Sequence, residues 1–142
     1  MLKGIDPVLS PELLKVLAEM GHGDEIVISD ANFPAASMAA EHTLVRADGI
    51  PAARLLEAIL QLMPLDQYDA NNFVLMEVVP GDPYVPPVWD TYREVLAKYE
   101  PEATVSFMER FAYYERAKKA HAVVITGETA KYANIILKKG VI

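Results

Sequence analysis

The 142-residue sequence predicts an α/β fold in which helices cover both faces of one sheet. Two observations indicate this class. Short runs rich in isoleucine and valine alternate along the chain with segments whose apolar residues recur at helical spacing, and such alternation is typical of α/β proteins. In addition, the run Ile26-Val27-Ile28 contains no polar residue, as expected for a strand that is covered on both faces.

The first helix is predicted to begin after Ser10 and to end near Gly21. Ser10 is a favourable N-cap, Pro11 fits the first turn, and the carboxylate of Glu12 complements the helix dipole. Apolar residues with helical spacing follow, which indicates one buried face. They are Leu13, Leu14, Leu17 and Met20.

The remaining elements follow in chain order. Strands are predicted at residues 25–29, 43–46, 73–79, 104–107, 121–125 and 134–137, the fourth of them with the weakest pattern. Helices are predicted at residues 51–63, 88–99 and 110–119. In α/β sheets, ligands bind in the loops beyond the strand ends. The loops at residues 21–24, 30–38 and 127–134 therefore become the candidate functional segments.

Composition limits the classes of function. The length predicts a single domain, residues 1–142, and 52% hydrophobic residues are enough for a core. The formal net charge of −7 disfavours nucleic-acid binding, because an acidic surface repels phosphates. No segment approaches the ~18 apolar residues of a membrane span, and the start of the chain lacks the apolar core of a signal peptide. We therefore expect a cytoplasmic protein that binds neither nucleic acid nor membrane.

Two polar residues flank the predicted strand at residues 25–29. His22 lies between two glycines, and its imidazole is suited to exchange a proton near neutral pH. Alternatively, His22 is a surface histidine without a catalytic role, in the turn that ends the first helix, because the local sequence fits both interpretations. Asp30 ends the strand, where it could orient an imidazole or bind sugar hydroxyls, or simply close the strand in an Asx turn.

The spacing of His22 and Asp30 restricts how they can act together. An extended segment rises ~3.3 Å per residue, so the two residues would lie up to roughly 26 Å apart. A monosaccharide cannot bridge that distance. Either the chain folds back sharply, or the histidine acts in the site of a neighbouring subunit, and we favour the second arrangement.

Two further segments carry side chains suited to sugars. Arg110 begins the sequence RFAYYER, which combines fixed positive charge with aromatic rings, although an amphipathic helix with salt bridges would look alike. Tyr132 and Asn134 offer a phenol and an amide that would point to the same side of an extended chain, or would simply mark the start of a strand. The three histidines show no metal-ligand spacing, so we expect no metal site.

Long stretches of the chain resemble the RbsD/FucU family, and within it the L-fucose mutarotases. The matching segments are SPELLKVLAEMGHGDEIVISDANFPA, LVRADG and RFAYYERAKKAHAVVITGETAKYANIILKKGV. The resemblance covers nearly the whole chain and is weakest at residues 65–106. It implies a three-layer α/β/α sandwich with a central, mostly parallel or mixed sheet. It also implies assembly into ring-shaped homo-oligomers with sites near subunit interfaces.

The resemblance further implies an isomerase that needs no cofactor and exchanges the α and β anomers of L-fucose, or of a related monosaccharide, by acid/base-catalysed ring opening. The position of the family's catalytic acid corresponds to His22. The family's sugar-binding residues correspond to four positions of this chain. These are Asp30, Arg110, Tyr132 and Asn134. Relatives that act on ribose have histidine in place of Arg110, which favours fucose as the substrate.

The chain departs from the fucose branch near the expected site. That branch often has histidine at the positions of Asn32 and Ala36, and phenylalanine at the position of Tyr113. These differences concern the identity of the sugar more than the reaction. Two alternatives follow: a D-ribose pyranase, which exchanges pyranose and furanose forms, and a sugar-binding or transport-accessory protein without catalysis. A pure binder would tolerate the loss of His22.

Overall fold

The structure is a computed structural model that describes residues 1–142. Its strands are β1 (Glu25–Ser29), β2 (Thr43–Ala47), β3 (Phe73–Met76), β4 (Ser106–Met108), β5 (Ala122–Thr126) and β6 (Ile135–Lys138). Its helices are α1 (Pro11–Glu19), α2 (Ala35–Met38), α3 (Ala52–Leu60), α4 (Val88–Tyr99) and α5 (Arg110–Lys118). None of these helices has the length and apolar character needed to span a membrane.

The strands form one six-stranded sheet in the order β2-β5-β1-β6-β3-β4. The pairs β1–β5, β2–β5 and β3–β4 are parallel, whereas β6 is antiparallel to both of its neighbours, β1 and β3. The prediction of a mostly parallel or mixed sheet is therefore confirmed. We call the two ends of the sheet the carboxyl edge, where Asp30 follows β1 and Arg110 follows β4, and the amino edge, where His22 precedes β1.

Helices cover both faces of the sheet, which confirms the three-layer α/β/α sandwich. On one face, Ile26 and Ile28 of β1 belong to a core that includes residues of α1, α3 and α4. On the other face, Val27 belongs to a second core with residues of α2 and α5. Full burial of one such side chain contributes about 1.5–3 kcal/mol. The unbroken apolar run of β1 therefore holds both helical layers.

The N-terminus of α1 agrees with the prediction, but its C-terminus does not. The Ser10 hydroxyl caps the helix by accepting a hydrogen bond from the Leu13 N–H at 3.1 Å. The helix ends at Glu19, and Met20 is already extended, so Gly21 does not terminate it. Instead, the Lys139 ammonium donates to the Leu17 and Met20 carbonyls at 3.0 and 2.5 Å, as cations often do at helix C-termini.

Three other elements differ from the predicted ones by more than two residues, whereas the remaining bounds differ by two at most. Helix α2 was not predicted, because four residues are too few to show an apolar period. Helix α3 ends at Leu60 rather than at residue 63. Strand β3 ends at Met76 rather than at residue 79, although Val78 and Val79 are apolar. Ile135, the first residue of β6, pairs with Leu75, so β6 offers no partner to the residues beyond.

Candidate functional site

A cavity of about 370 Å³ opens at the carboxyl edge. It lies where β1, β3 and β4 end and β6 begins, which is where ligands bind in α/β sheets. Four of the five predicted site residues line it, and His22 does not. The four are Asp30, Arg110, Tyr132 and Asn134. Sequence positions up to 104 residues apart thus meet in one cavity, while their roles in binding remain predictions.

Asp30 is buried at the floor of the cavity, with 7% of its surface exposed. Its backbone N–H donates to Asn134 Oδ1 at 2.8 Å, and its own Oδ1 accepts from the Asn32 N–H at 2.9 Å. The second bond is the Asx turn that the sequence analysis considered as an alternative, so Asp30 closes the strand and also faces the cavity. Burial raises the pKa of Asp30, and the N–H groups of Asn32 and Phe33 partly offset this.

Tyr132 has a left-handed backbone conformation, with φ of +58°, which is uncommon for residues other than glycine. The extended geometry assumed for Tyr132 and Asn134 is therefore wrong, although both residues reach the cavity. Several contacts hold the conformation. The Tyr132 carbonyl accepts from the Trp89 indole N–H at 2.8 Å, and the Tyr132 hydroxyl donates to Asp82 Oδ2 at 3.1 Å. Its ring also stacks on Tyr84, with centroids 6.2 Å apart.

Arg110 is the first residue of α5 and forms no salt bridge within the chain. Its guanidinium lies 4.5 Å from the centroid of the Phe111 ring, so its N–H donors stay free for a ligand. Arg116 of the same helix differs, because it pairs with Glu25 and donates to the Asn71 carbonyl at 2.9 Å. The salt-bridge interpretation of this helix is thus correct for Arg116, and ligand binding by Arg110 stays a prediction.

Several residues that line the cavity were not named individually as site residues in the sequence analysis, although most of them lie in segments that it selected. They are Asn32 (noted there only as a departure), Phe33, Pro34, Met76, Val79, Asp82, Tyr114 and Lys131. Phe33 and Tyr114 form an aromatic wall, with ring centroids 5.8 Å apart. Asp82 was not selected because it lies in a Pro-Gly-Asp-Pro sequence, where an aspartate normally serves to form the turn. Of the other two departures, Ala36 does not line the cavity, and Tyr113 is fully buried beneath it.

His22 lies at the amino edge, at the other end of β1 from Asp30. It belongs to a tight turn that Gly23 closes with φ of +87° and a backbone N–H bond to the Lys139 carbonyl at 2.9 Å. The imidazole side chain is 47% exposed, and its Nε2 lies 3.1 Å from Asp66 Oδ1. The chain does not fold back between these residues. One subunit therefore does not bring His22 and Asp30 together.

A sequence model of the RbsD / FucU transport protein family matches residues 3–142. The chain belongs to this family. The resemblance stated from the motifs is thereby confirmed, and it extends through residues 65–106, where the sequence motifs were weakest.

Other members of the RbsD / FucU family match over almost their full length. A protein named L-fucose mutarotase from Glaesserella parasuis is 59% identical over 142 residues, which are 99% of this chain and 96% of the relative. The fucose mutarotase of Streptococcus pneumoniae, solved in complex with L-fucose, has a TM-score of 0.94 at 51% identity, with 99% of each chain covered. Bacillus subtilis RbsD, solved with D-ribose, shares the fold, with a TM-score of 0.75 at 23% identity and coverage of 100% and 99%.

Proposed function

We propose that this protein is an isomerase that interconverts the α and β anomers of L-fucose, or of a closely related monosaccharide, by opening and reclosing the sugar ring. One observation carries the proposal: the cavity gathers Asp30, Arg110, Tyr132 and Asn134 in a chain with 51% identity to a fucose mutarotase that was solved with L-fucose. The 59% identical relative that is named L-fucose mutarotase supports the same substrate.

The lining of the cavity suits an uncharged sugar of this type. A monosaccharide needs hydrogen-bond donors and acceptors at fixed positions, and the free guanidinium of Arg110 and the carboxyl of Asp30 supply both. L-fucose also carries a methyl group where most hexoses carry a hydroxymethyl group. Apolar side chains from Phe33, Met76 and Val79 lie in the same cavity and would accept that methyl group.

The reaction needs two proton transfers. A proton must reach the ring oxygen and the anomeric hydroxyl must lose one, so that the ring opens to an aldehyde with a free hydroxyl. Rotation about one carbon–carbon bond and reclosure then give the other anomer. We assign one of these transfers to His22. A positioned acid or base contributes about 10²–10⁴-fold, which is ample for a reaction that also occurs in water.

We further propose that His22 enters the cavity of a neighbouring copy of the chain, within a ring-shaped homo-oligomer whose sites lie at subunit interfaces. The position of His22 at the amino edge, half-exposed and away from its own cavity, supports this arrangement. A shared site predicts complementation. His22→Ala and Arg110→Ala subunits are each expected to be inactive, and mixing them after dissociation is expected to restore activity. Mixtures that assemble normally and remain inactive would contradict a shared site.

The activity is tested by proton NMR saturation transfer between anomers of L-fucose and of D-ribose, with and without protein. We expect faster exchange of the fucose anomers, and loss of most of that acceleration in His22→Ala without loss of sugar binding. Acceleration with ribose alone would identify a pyranase instead. Binding without acceleration of either sugar would identify a sugar-binding or transport-accessory protein.

A further inference from the structure

Asp82 contacts the hydroxyl group of Tyr132 in the cavity, although the two residues are 50 positions apart in the sequence. The hydroxyl donates to Asp82 Oδ2 at 3.1 Å, and its oxygen accepts from the backbone N–H of Val79 at 3.4 Å. Val79 and Asp82 both line the cavity together with Tyr132. The segment after β3 therefore holds the end of the phenol through two hydrogen bonds.

A tight turn fixes the position of the Asp82 carboxylate. The Asp82 N–H donates to the Val79 carbonyl at 3.1 Å, and Asp82 Oδ1 accepts from the Tyr84 N–H at 3.0 Å. The second bond is an Asx turn, which occupies Oδ1 and leaves Oδ2 for the phenol. The ring of Tyr84 also stacks on that of Tyr132, with an angle of 29° between their planes. Residues 79–84 thus hold both the ring and the hydroxyl of Tyr132.

The two hydrogen bonds determine what the Tyr132 hydroxyl can offer to a ligand. A carboxylate only accepts, so the phenol supplies the proton of the bond to Asp82. A backbone N–H only donates, so Val79 uses one lone pair of the phenol oxygen. The phenol therefore meets the sugar as an acceptor. Arg110 offers only donors to the same cavity, so the two side chains recognise a sugar hydroxyl in opposite ways.

We propose that Asp82 is a positioning residue that takes up the proton of the Tyr132 hydroxyl and thereby makes the phenol an acceptor for one hydroxyl of the sugar. This inference rests on the proposed function. When the carboxylate is absent, the phenol can turn its O–H toward the cavity. Two donors would then face each other, and that sugar hydroxyl would lose its acceptor.

Replacement of Asp82 by asparagine separates this role from that of the turn. Asparagine also forms Asx turns, so its single side-chain oxygen can keep the bond to the Tyr84 N–H. Its NH₂ group then lies next to the phenol, where it donates instead of accepting. We expect Asp82→Asn to stay folded in urea denaturation and to bind L-fucose about 3- to 10-fold more weakly in titration calorimetry, which is the size of one hydrogen bond.

A double-mutant cycle shows whether the effect passes through Tyr132. In a Tyr132→Phe background, Asp82→Asn is expected to weaken binding no further, because no hydroxyl remains to be oriented. Asp82→Ala, which removes both acceptors, is expected to show the same dependence on Tyr132. The matched control is Asp90→Asn. Asp90 pairs with Arg93 at 3.4 Å and does not line the cavity, so its replacement is expected to leave binding unchanged.

Three outcomes decide the matter. Wild-type affinity in Asp82→Asn would overturn the inference. Equal losses with and without the Tyr132 hydroxyl would also overturn it, because Asp82 would then act through the turn or on the sugar directly. A wild-type protein that binds L-fucose without accelerating its exchange would overturn the proposed catalysis alone, since the cycle measures binding.

Discussion

The side-chain oxygen of Asn134 accepts a hydrogen bond from the backbone N–H of Asp30 at 2.8 Å, at the edge of the antiparallel pair formed by β1 and β6. Both residues are buried, with 4% and 7% of their surfaces exposed. The bond joins the end of one strand to the start of the other. It therefore fixes where the Asp30 carboxyl group enters the cavity.

Replacement of Asn134 by alanine would leave the buried N–H of Asp30 without its partner. We expect the free energy of unfolding to fall by about 1–3 kcal/mol, as measured by urea denaturation. Sugar binding, measured by titration calorimetry, is also expected to weaken, because the cavity loses an amide. Asn71→Ala is the control, since Asn71 is exposed and its side chain is not part of the cavity. Equal losses in both variants would contradict the role of the bond.

The pH dependence of stability tests the environment of Asp30. Burial raises its pKa above the ordinary value of 3.8, so the folded state keeps a proton that the unfolded chain has lost. The contribution of Asp30 to the free energy of unfolding therefore falls as pH rises from 3.8, its pKa in the unfolded chain, to its higher pKa in the folded protein. We expect Asp30→Asn, which cannot ionise, to gain stability relative to the wild type across this range in urea titrations.

The control for Asp30 is an exposed carboxyl with the opposite shift. The guanidinium of Arg46 lowers the pKa of Asp48 in the folded protein. Asp48 therefore stabilises the folded state at pH values above its pKa in the unfolded chain, and this stabilisation is lost as pH falls through its lower pKa in the folded protein. Asp48→Asn is therefore expected to lose stability relative to the wild type as pH rises. The same slope in both variants would contradict a raised pKa for Asp30.

Two fully buried tyrosines provide a matched pair for the cost of an unsatisfied hydroxyl. The Tyr92 hydroxyl donates to the Ala133 carbonyl at 2.8 Å, whereas the Tyr113 hydroxyl has no hydrogen-bond partner in the protein. We expect Tyr113→Phe to raise the free energy of unfolding by about 1 kcal/mol and Tyr92→Phe to lower it by a similar amount. Urea denaturation measures both. A loss in Tyr113→Phe equal to that in Tyr92→Phe would show that the Tyr113 hydroxyl is paired.

Gly140 allows the segment that carries Asp66 to approach the end of β6. A Cβ atom at this position would lie 2.7 Å from the Leu65 carbonyl carbon and 2.9 Å from the Asp66 Cα. We expect Gly140→Ala to lower the free energy of unfolding by about 1–3 kcal/mol through overpacking, and to displace Asp66 from His22. Urea denaturation measures the first effect, and a crystal structure of the variant measures the second as a longer distance from His22 Nε2 to Asp66 Oδ1. Gly21→Ala is the control, because its nearest contact would be an ordinary 3.7 Å.

The sheet could be predicted from the sequence because its signals are local. The unbroken apolar run of β1 and the Ser10 cap of α1 each lie within one short segment. The cavity could be predicted in part for the same reason, since Asp30 directly follows a predicted strand and Arg110 is the first residue of a predicted helix. Helix α2 was missed because a single turn has no measurable period.

The contacts between loops could not be predicted in this way. His22 meets Asp66 across 44 positions, and Tyr132 meets Asp82 across 50. The loops that carry these residues have no apolar period, so nothing local indicates which side chains will meet. Such pairs depend on how the sheet brings distant loops to one edge. The left-handed conformation of Tyr132 likewise depends on tertiary contacts, including the bond from Trp89.

The reversed direction of β6 restricts where this chain can change length during evolution. The strand begins at Ile135, directly after Asn134 of the cavity, and ends at Lys138, next to Lys139, whose carbonyl accepts a hydrogen bond from the turn of His22. Because successive side chains of a strand alternate between faces, one residue inserted in β6 would move Ile136 to the opposite core and shift one edge relative to the other. Homologues are therefore expected to gain or lose residues in surface loops, and to keep the length of this strand constant.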